Sequence, residues 1–318
     1  MSTAVVTGGT GFVGTHLVSL LREHGWDVIA VGRANRPGTT DAGFVQLDLG
    51  APDAVARMAG LIADSGPDVV FHLAASTDVS GDVESLVAGS VLPATALCAA
   101  VHRAEVRPRI VFAGSSAQYG DLPLDQNPVD EDAPCRPVTA YGFAKLAGES
   151  VARSFASSGE IDVVPVRAFN HIGPGEPGRT VGGALARRVA ALKDGRIERL
   201  PVADLDAVRD FTDVRDIARG YLAVAERGLT GRVYNLCSGR ATSVRDVLDS
   251  FLRAAGLNWS SVDPQPATGR GISHQVGSPL RTQTETGWSA SVPLDSSTGD
   301  LLSSIVDEGN HPWVDASD

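Results

Sequence analysis

A glycine-rich turn, Thr7-Gly8-Gly9-Thr10-Gly11-Phe12-Val13-Gly14, follows the apolar run Ala4-Val5-Val6 and opens a stretch with helical apolar spacing. Glycines at 8, 11 and 14 permit a sharp strand-to-helix turn and let a ligand approach the backbone, while the helix N-terminus presents its first amides to negative charge. A strand before, a helix after and a βαβ-sized spacing make this a dinucleotide pyrophosphate site, with Gly8, Gly11, Phe12, Val13 and Gly14 as the cradle, rather than a bare tight turn. Such a turn commits the first half of the chain to a parallel α/β sheet.

The rest of that half agrees. Short apolar runs at Ala4–Thr7, Val28–Val31, Phe44–Leu47, Val69–Leu73, Arg109–Ala113 and Asp162–Arg167 alternate with helix-like stretches at Phe12–His24, Pro52–Ser65, Asp82–Arg103 and Thr139–Ser158, the pattern of βαβ units. After Arg167 the texture changes to the Gly- and Pro-rich segment 173–178, helices over Gly182–Lys193 and Val214–Arg227, and a strand over Arg232–Leu236. The expected fold is α/β: a Rossmann-type doubly wound parallel sheet with a smaller, interleaved C-terminal substrate-binding lobe. Residues 1–167 form the dinucleotide-binding domain, with parts of 210–240 rejoining it. Residues 168–308 form the second lobe, with Trp288 in its core, and 309–318 a tail.

The formal net charge of −11 argues against nucleic acid or an anionic membrane as partner. Anionic ligands must then be met by particular arginines and backbone amides. Cys98, Cys135 and Cys237 are odd in number and lack metal-type spacing, which suits reduced thiols in a cytoplasm. No metal site, signal peptide or membrane-length apolar run is expected.

The end of the second strand decides the dinucleotide. A carboxylate there accepts from the adenosine ribose, whereas an arginine accommodates a 2′-phosphate. Gly32-Arg33 and then Arg36, with no acid in reach, point to NADPH over NAD. Asp48 and Leu49 are placed beside the adenine, and Leu73, Ala74 and Ala75 where the cofactor passes the backbone. Tyr141 and Lys145 share one helix face at i, i+4. A phenol beside an ammonium is a general acid–base pair suited to hydride transfer at a carbonyl.

Together with Ser115-Ser116-Ala117-Gln118-Tyr119-Gly120 and Tyr141-Gly142-Phe143-Ala144-Lys145, these motifs resemble the extended short-chain dehydrogenase/reductase family over nearly the whole chain. Within it, Phe169–Gly175, Leu205–Asp216 and Val233–Asn235 are most similar to GDP-4-keto-6-deoxymannose reductases and GDP-mannose 4,6-dehydratases. The resemblance implies Tyr141 as proton donor, and Lys145 lowering its pKa from about 10 and holding the cofactor ribose. It makes Ser115 the catalytic hydroxyl, with Ser116 the fallback and a substrate contact. It implies diphosphate contacts from Arg209, Asn170 and Arg270, and a homodimer through the helices Asp82–Arg103 and Thr139–Ser158. Arg209 could instead pair with Asp210 or Asp213, His171 could either reach the site or be a hydrogen-bonded structural histidine, and Cys135 reads as a bystander.

Two departures from the family matter. Dehydratases carry an acid within two residues of the serine, where this chain has Ser116 and Ala117, so dehydration is disfavoured. The family's helical Asn-x-x-Gly-Thr becomes Ser90-Val91-Leu92-Pro93-Ala94; Ser90 could still order a carbonyl or water near Lys145, and Pro93 should kink its helix. The expected activity is NADPH-dependent reduction of the 4-keto group of a nucleotide-diphosphate 4-keto-6-deoxyhexose. The alternatives are a sugar-nucleotide 4-epimerase with bound NAD and a non-catalytic dinucleotide sensor.

Overall fold

The computed structural model describes residues 1–34, 43–75, 83–157, 159, 161–267 and 272–308; the expectations for Arg36, Arg270 and the tail lie outside the described residues. The first half runs β1 (Thr3–Thr7), α1 (Phe12–Glu23), β2 (Asp27–Gly32), β3 (Phe44–Gln46), α2 (Ala54–Ser65), β4 (Val69–His72), α3 (Val83–Leu86), α4 (Leu92–Ala104), β5 (Arg109–Ala113), α5 (Ala140–Ser157) and β6 (Asp162–Ala168). The second half continues β7 (Asn170–Ile172), α6 (Val181–Lys193), β8 (Leu200–Val202), β9 (Val208–Arg209), β10 (Phe211–Asp213), α7 (Val214–Arg227), β11 (Tyr234–Leu236), β12 (Thr242–Ser243), α8 (Val244–Ala255), β13 (Val262–Pro264), β14 (His274–Gln275), α9 (Leu280–Thr286) and α10 (Leu294–Glu308). Expected and observed boundaries differ by one or two residues at most of the element ends.

The main sheet is ordered β11-β6-β5-β4-β1-β2-β3, all parallel. Strand order reverses between β1 and β4, which opens a crevice at their carboxyl ends where ligands of such sheets sit. Alternation along each strand divides the core in two. Ala4, Val6, Val69, Phe71, Val111, Val164 and Val166 pack under α1 and α7, while Val5, Val70, Ile110, Phe112 and Val163 pack under α2, α4 and α5. Both faces are covered, so the strands are apolar throughout.

A separate apolar cluster joins α6, α8 and α10 to β8 and β13 through Leu185, Val189, Leu248, Phe251 and Leu301. Trp288 does not belong to it, contrary to the sequence expectation. It sits in the main-sheet core with Tyr221 and Leu236, because Asp216 on α7 draws the segment back. The Trp288 indole donates to the Asp216 carbonyl at 2.9 Å, and the Asp216 carboxylate accepts from Ser291 and Val292 amides.

The helix expected over Asp82–Arg103 is interrupted by a π turn, Val87–Val91, that ends two residues before Pro93. Proline lacks an N–H and its ring excludes the carbonyl four residues back, so the turn widens and the Leu92 N–H reaches back five residues to Val87 O. Counted through the π turn, Glu84–Ala104 is long and apolar enough to span a membrane, which the sequence reading did not anticipate. Its Ala94, Leu97 and Val101 are buried against the sheet.

Candidate active site

The glycine turn is shaped by what crosses it. Gly8 has φ +71°, and a Cβ there would stand 2.9 Å from the Ala74 nitrogen at the end of β4; one on Gly14 would meet the Gly8 carbonyl at 2.1 Å. Both positions exclude any side chain. Gly11 caps α1 without a side-chain hydrogen bond, and no acid occupies the first turn, so the leading amides of α1 are left to an anion. The chain therefore offers a cradle that fits a dinucleotide pyrophosphate.

Around it, Arg33 is exposed at the end of β2 and its carbonyl accepts from Gln46. A Cβ on Gly32 would lie 2.9 Å from Thr10 Oγ1, so this strand end stays without a side chain. Asp48 is exposed and accepts from the Gly50 amide, while Leu49 is turned into the core. Leu73, Ala74 and Ala75 are half-buried beside Gly8. At the β1 end, Thr7 Oγ1 and His72 Nδ1 lie 2.9 Å apart. Burial, with the Lys145 charge, brings His72 down to about 3, so this imidazole is neutral and no acid catalyst.

Ser115 and Tyr141 come together where β5 ends. Ser115 caps the 3-10 turn Ser116–Gln118: its Oγ accepts from Ala117 N at 3.2 Å, and its N–H donates to Gln118 Oε1 at 2.7 Å. Ser115 Oγ stands beside the Tyr141 phenol and, as a polar neighbour, pulls its pKa down against burial. The close approach depends on Gly142, where a Cβ would meet Ala117 O at 2.5 Å. Thr139 Oγ1 accepts from Gly142 N at 3.1 Å and helps start α5. Ser116, the fallback hydroxyl, is buried.

Lys145 departs from expectation. Its ammonium is buried and donates to Ala113 O at 2.6 Å, turned to the carbonyl that ends β5. The Tyr141 pKa is raised by burial, and the opposing influence is the Ser115 hydrogen bond rather than Lys145. Lys145 itself falls to about 8 through burial, with Glu149 pulling upward. Ser90, expected near Lys145, is buried with an unpartnered Oγ among the described residues.

Behind the pair lies a buried polar network that sequence reasoning missed. Glu149 accepts from Arg167 Nε at 3.0 Å and Nη2 at 2.7 Å, and from Gln118 Nε2 at 2.6 Å. Gln118 in turn holds the Ser115 amide, so α5 and β6 orient the serine through two side chains. Arg167 also lies 4.9 Å from the Tyr119 ring centroid, and Tyr119 donates to Asn235 on β11. The available signal was a carboxylate four residues after Lys145 on the apolar face of α5.

On the second lobe, Asn170 opens β7, which pairs in parallel with β10. Arg209 forms neither anticipated ion pair: Asp210 is taken by the Ser238, Gly239 and Gly277 amides, and Asp213 by Arg215 and Ser297. The Arg209 guanidinium donates to the Val208 and Ile272 carbonyls. Burial lowers its pKa while Asp121 and Asp204 raise it. His171 stacks on Phe12 at 5.6 Å and donates to Phe169 O, a structural role that joins the lobe to α1.

The NAD dependent epimerase/dehydratase family pattern matches residues 4–237. GDP-6-deoxy-D-mannose reductase of Pseudomonas aeruginosa is 30% identical over 305 residues, covering 94% of this chain and 95% of its own. The structure of RMD from Pseudomonas aeruginosa complexed with NADPH superposes with a TM-score of 0.83 at 29% identity, over 96% of this chain and 99% of that one. UDP-glucose 4-epimerase of Thermus thermophilus, complexed with NAD, gives 0.84 at 25% identity over 96% and 99%. With the family pattern running from the central strand β1 to the edge strand β11, the chain belongs to the NAD dependent epimerase/dehydratase family and is an NAD(P)-dependent enzyme of the extended short-chain dehydrogenase/reductase type.

Proposed function

We propose that this enzyme uses NADPH to reduce the 4-keto group of a nucleotide-diphosphate 4-keto-6-deoxyhexose to the alcohol. The observation that carries the reading is the turn after Ser115. Ser116 and Ala117 supply no carboxylate, and Gln118 is held by the Ser115 amide and Glu149. A base for removing a carbon-bound proton is thus missing from the turn, while Ser115 beside Tyr141 serves a simple ketone reduction. The similarity to a GDP-6-deoxy-D-mannose reductase, and to a structure holding NADPH, supports the same reading.

The bound dihydronicotinamide would supply the hydride. Amides of Phe12 and Val13 would hold its pyrophosphate, and Arg33 a 2′-phosphate beyond the bare end of β2. Tyr141 donates its proton to the carbonyl oxygen, and the Ser115 hydroxyl steadies the charge growing there. Lys145 uses one of its three N–H donors on Ala113, leaving two for the cofactor ribose. Asn170, Arg209 and Ser116 would face the sugar nucleotide, and Arg209, free of carboxylate ion pairs among the described residues, keeps a full charge for a diphosphate.

The test is a rate measurement with GDP-4-keto-6-deoxymannose as probe. Loss of NADPH absorbance with formation of a 4-alcohol is the expected result. Likeness to the Thermus epimerase favours a second reading, 4-epimerisation with retained NAD; isomerisation of a sugar nucleotide without net cofactor turnover would establish it. Binding of NADPH with no reduction of any keto-sugar nucleotide would leave a sensor. We assign the enzyme to a reducing cytoplasm, and to a homodimer through α3–α5, where Val87, Leu92 and Phe143 are exposed.

A further inference from the structure

The turn bearing Ser115 is fastened from its far side by the second lobe. Gln275 of β14 is 3% exposed, and its side-chain amide donates to Ser116 O at 3.0 Å and Gly120 O at 3.1 Å. These carbonyls bracket the 3-10 turn that begins directly after Ser115. One residue further on, the Asp121 carboxylate accepts the Ser273 N–H at 3.2 Å. In the strand register Gln275 stands beside Arg209, whose guanidinium reaches the Ile272 carbonyl. One short strand therefore touches both the catalytic turn and the arginine assigned to the diphosphate.

We infer that Gln275 is a positioning residue: its two N–H donors hold the 116–120 turn so that the Ser115 hydroxyl meets Tyr141, and they tie that placement to the strand beside Arg209. The inference rests on reading Ser115 and Tyr141 as the reacting pair. A primary amide matches two carbonyls at once, and in this buried place a shift of the turn breaks both bonds. The exit of the turn is tied to a neighbouring loop: the Arg136 N–H donates to Tyr119 O at 3.3 Å, and Gly120 lets the Arg136 carbonyl pack against the backbone. With the exit fixed, a lost Gln275 bond moves the Ser115 end.

Gln275→Met keeps length and bulk but removes both donors; Gln275→Asn keeps the donors one methylene short. With NADPH and GDP-4-keto-6-deoxymannose, Gln275→Met should lower kcat by about 10- to 100-fold, the scale of a misplacement near 1 Å, with KM within about threefold and NADPH affinity unchanged. Gln275→Asn should recover part of that rate. The inference is overturned if folded Gln275→Met turns over like the parent, or if it matches or exceeds Gln275→Asn. Should Gln275→Met not fold, Gln275→Asn decides: a severalfold lower kcat at constant KM supports the role, and parental kcat refutes it. If the parent enzyme reduces no keto-sugar, the functional reading has failed, and hydrogen exchange in the NADPH complex tests Gln275 alone. Faster exchange confined to amides 116–120 in the variant supports the fastening; unchanged exchange overturns it.

Discussion

Replacing Glu149 by methionine strands the Arg167 guanidinium in the interior. Glu149 is 1% exposed and takes two hydrogen bonds from Arg167, at 3.0 and 2.7 Å, and one from Gln118 at 2.6 Å. Arg167 Nη1 is already buried without a hydrogen-bond partner, so the variant leaves the cation with the Tyr119 ring face but no carboxylate. Removing one member of such a buried pair costs about 3–5 kcal/mol, whereas replacing both with apolar groups is often near neutral. Arg167→Met should cost at most a similar amount, because it removes the buried two-bond partner and leaves the carboxylate to the half-exposed Arg153 at 3.6 Å. Independent sites would sum to roughly 8 kcal/mol in the double variant. A shared network should instead leave it near about 2 kcal/mol, the cost of the stranded Gln118 amide. Equilibrium urea denaturation of the four proteins measures this cycle. Single losses below about 1 kcal/mol, or additivity, would refute the reasoning.

Tyr141→Phe should reduce kcat by about 10²–10⁴-fold while NADPH binding, measured by fluorescence titration, persists; full activity would remove Tyr141 as the acid. Lys145, held near pKa about 8 by burial against the pull of Glu149, should impose a fall in the reduction rate as pH rises through that value; a pH–rate profile flat to pH 10 contradicts its cationic role. Glu176 is 2% exposed, accepts from Thr180 and keeps an unpartnered oxygen, and burial raises its carboxyl to about 7. A folded pKa above the usual carboxylate value favours the native state below pH about 4.5, an advantage lost as pH rises through about 7. Glu176→Gln should thus match the parent near pH 4.5 and exceed it at pH 8 by up to about 3 kcal/mol, read by denaturation at both pH values.

The sheet and its glycine turn were legible because local periodicity and backbone demands encode them. The apolar runs at Val69 and Arg109, and the glycines at 8 and 14, each carry their own physical reason. Ser115 and Tyr141 sit just after β5 and at the start of α5, elements that such runs locate. What lay beyond reach depends on partners distant in sequence. Glu149 and Arg167 pair across 18 residues, Trp288 is drawn to α7 by Asp216, and Gln275 finds Ser116 across 159 positions. For Arg209 the alternative to a diphosphate contact was a neighbouring carboxylate, and that choice turned on Asp210 and Asp213 being held by backbone amides, Arg215 and Ser297. The direction of the Lys145 ammonium was likewise hidden, since a spacing of four places two residues on one face without saying which carbonyl lies beneath it.

Label transfer tests the central claim most directly. Incubating the enzyme with GDP-4-keto-6-deoxymannose and NADPH deuterated at the transferable nicotinamide position follows the hydride by mass spectrometry. One deuterium at C4 of the sugar is expected for each NADP+ formed, with loss of that transfer in Tyr141→Phe. Sugar-nucleotide isomers interconverting with no deuterium gained and no NADP+ released would contradict the claim.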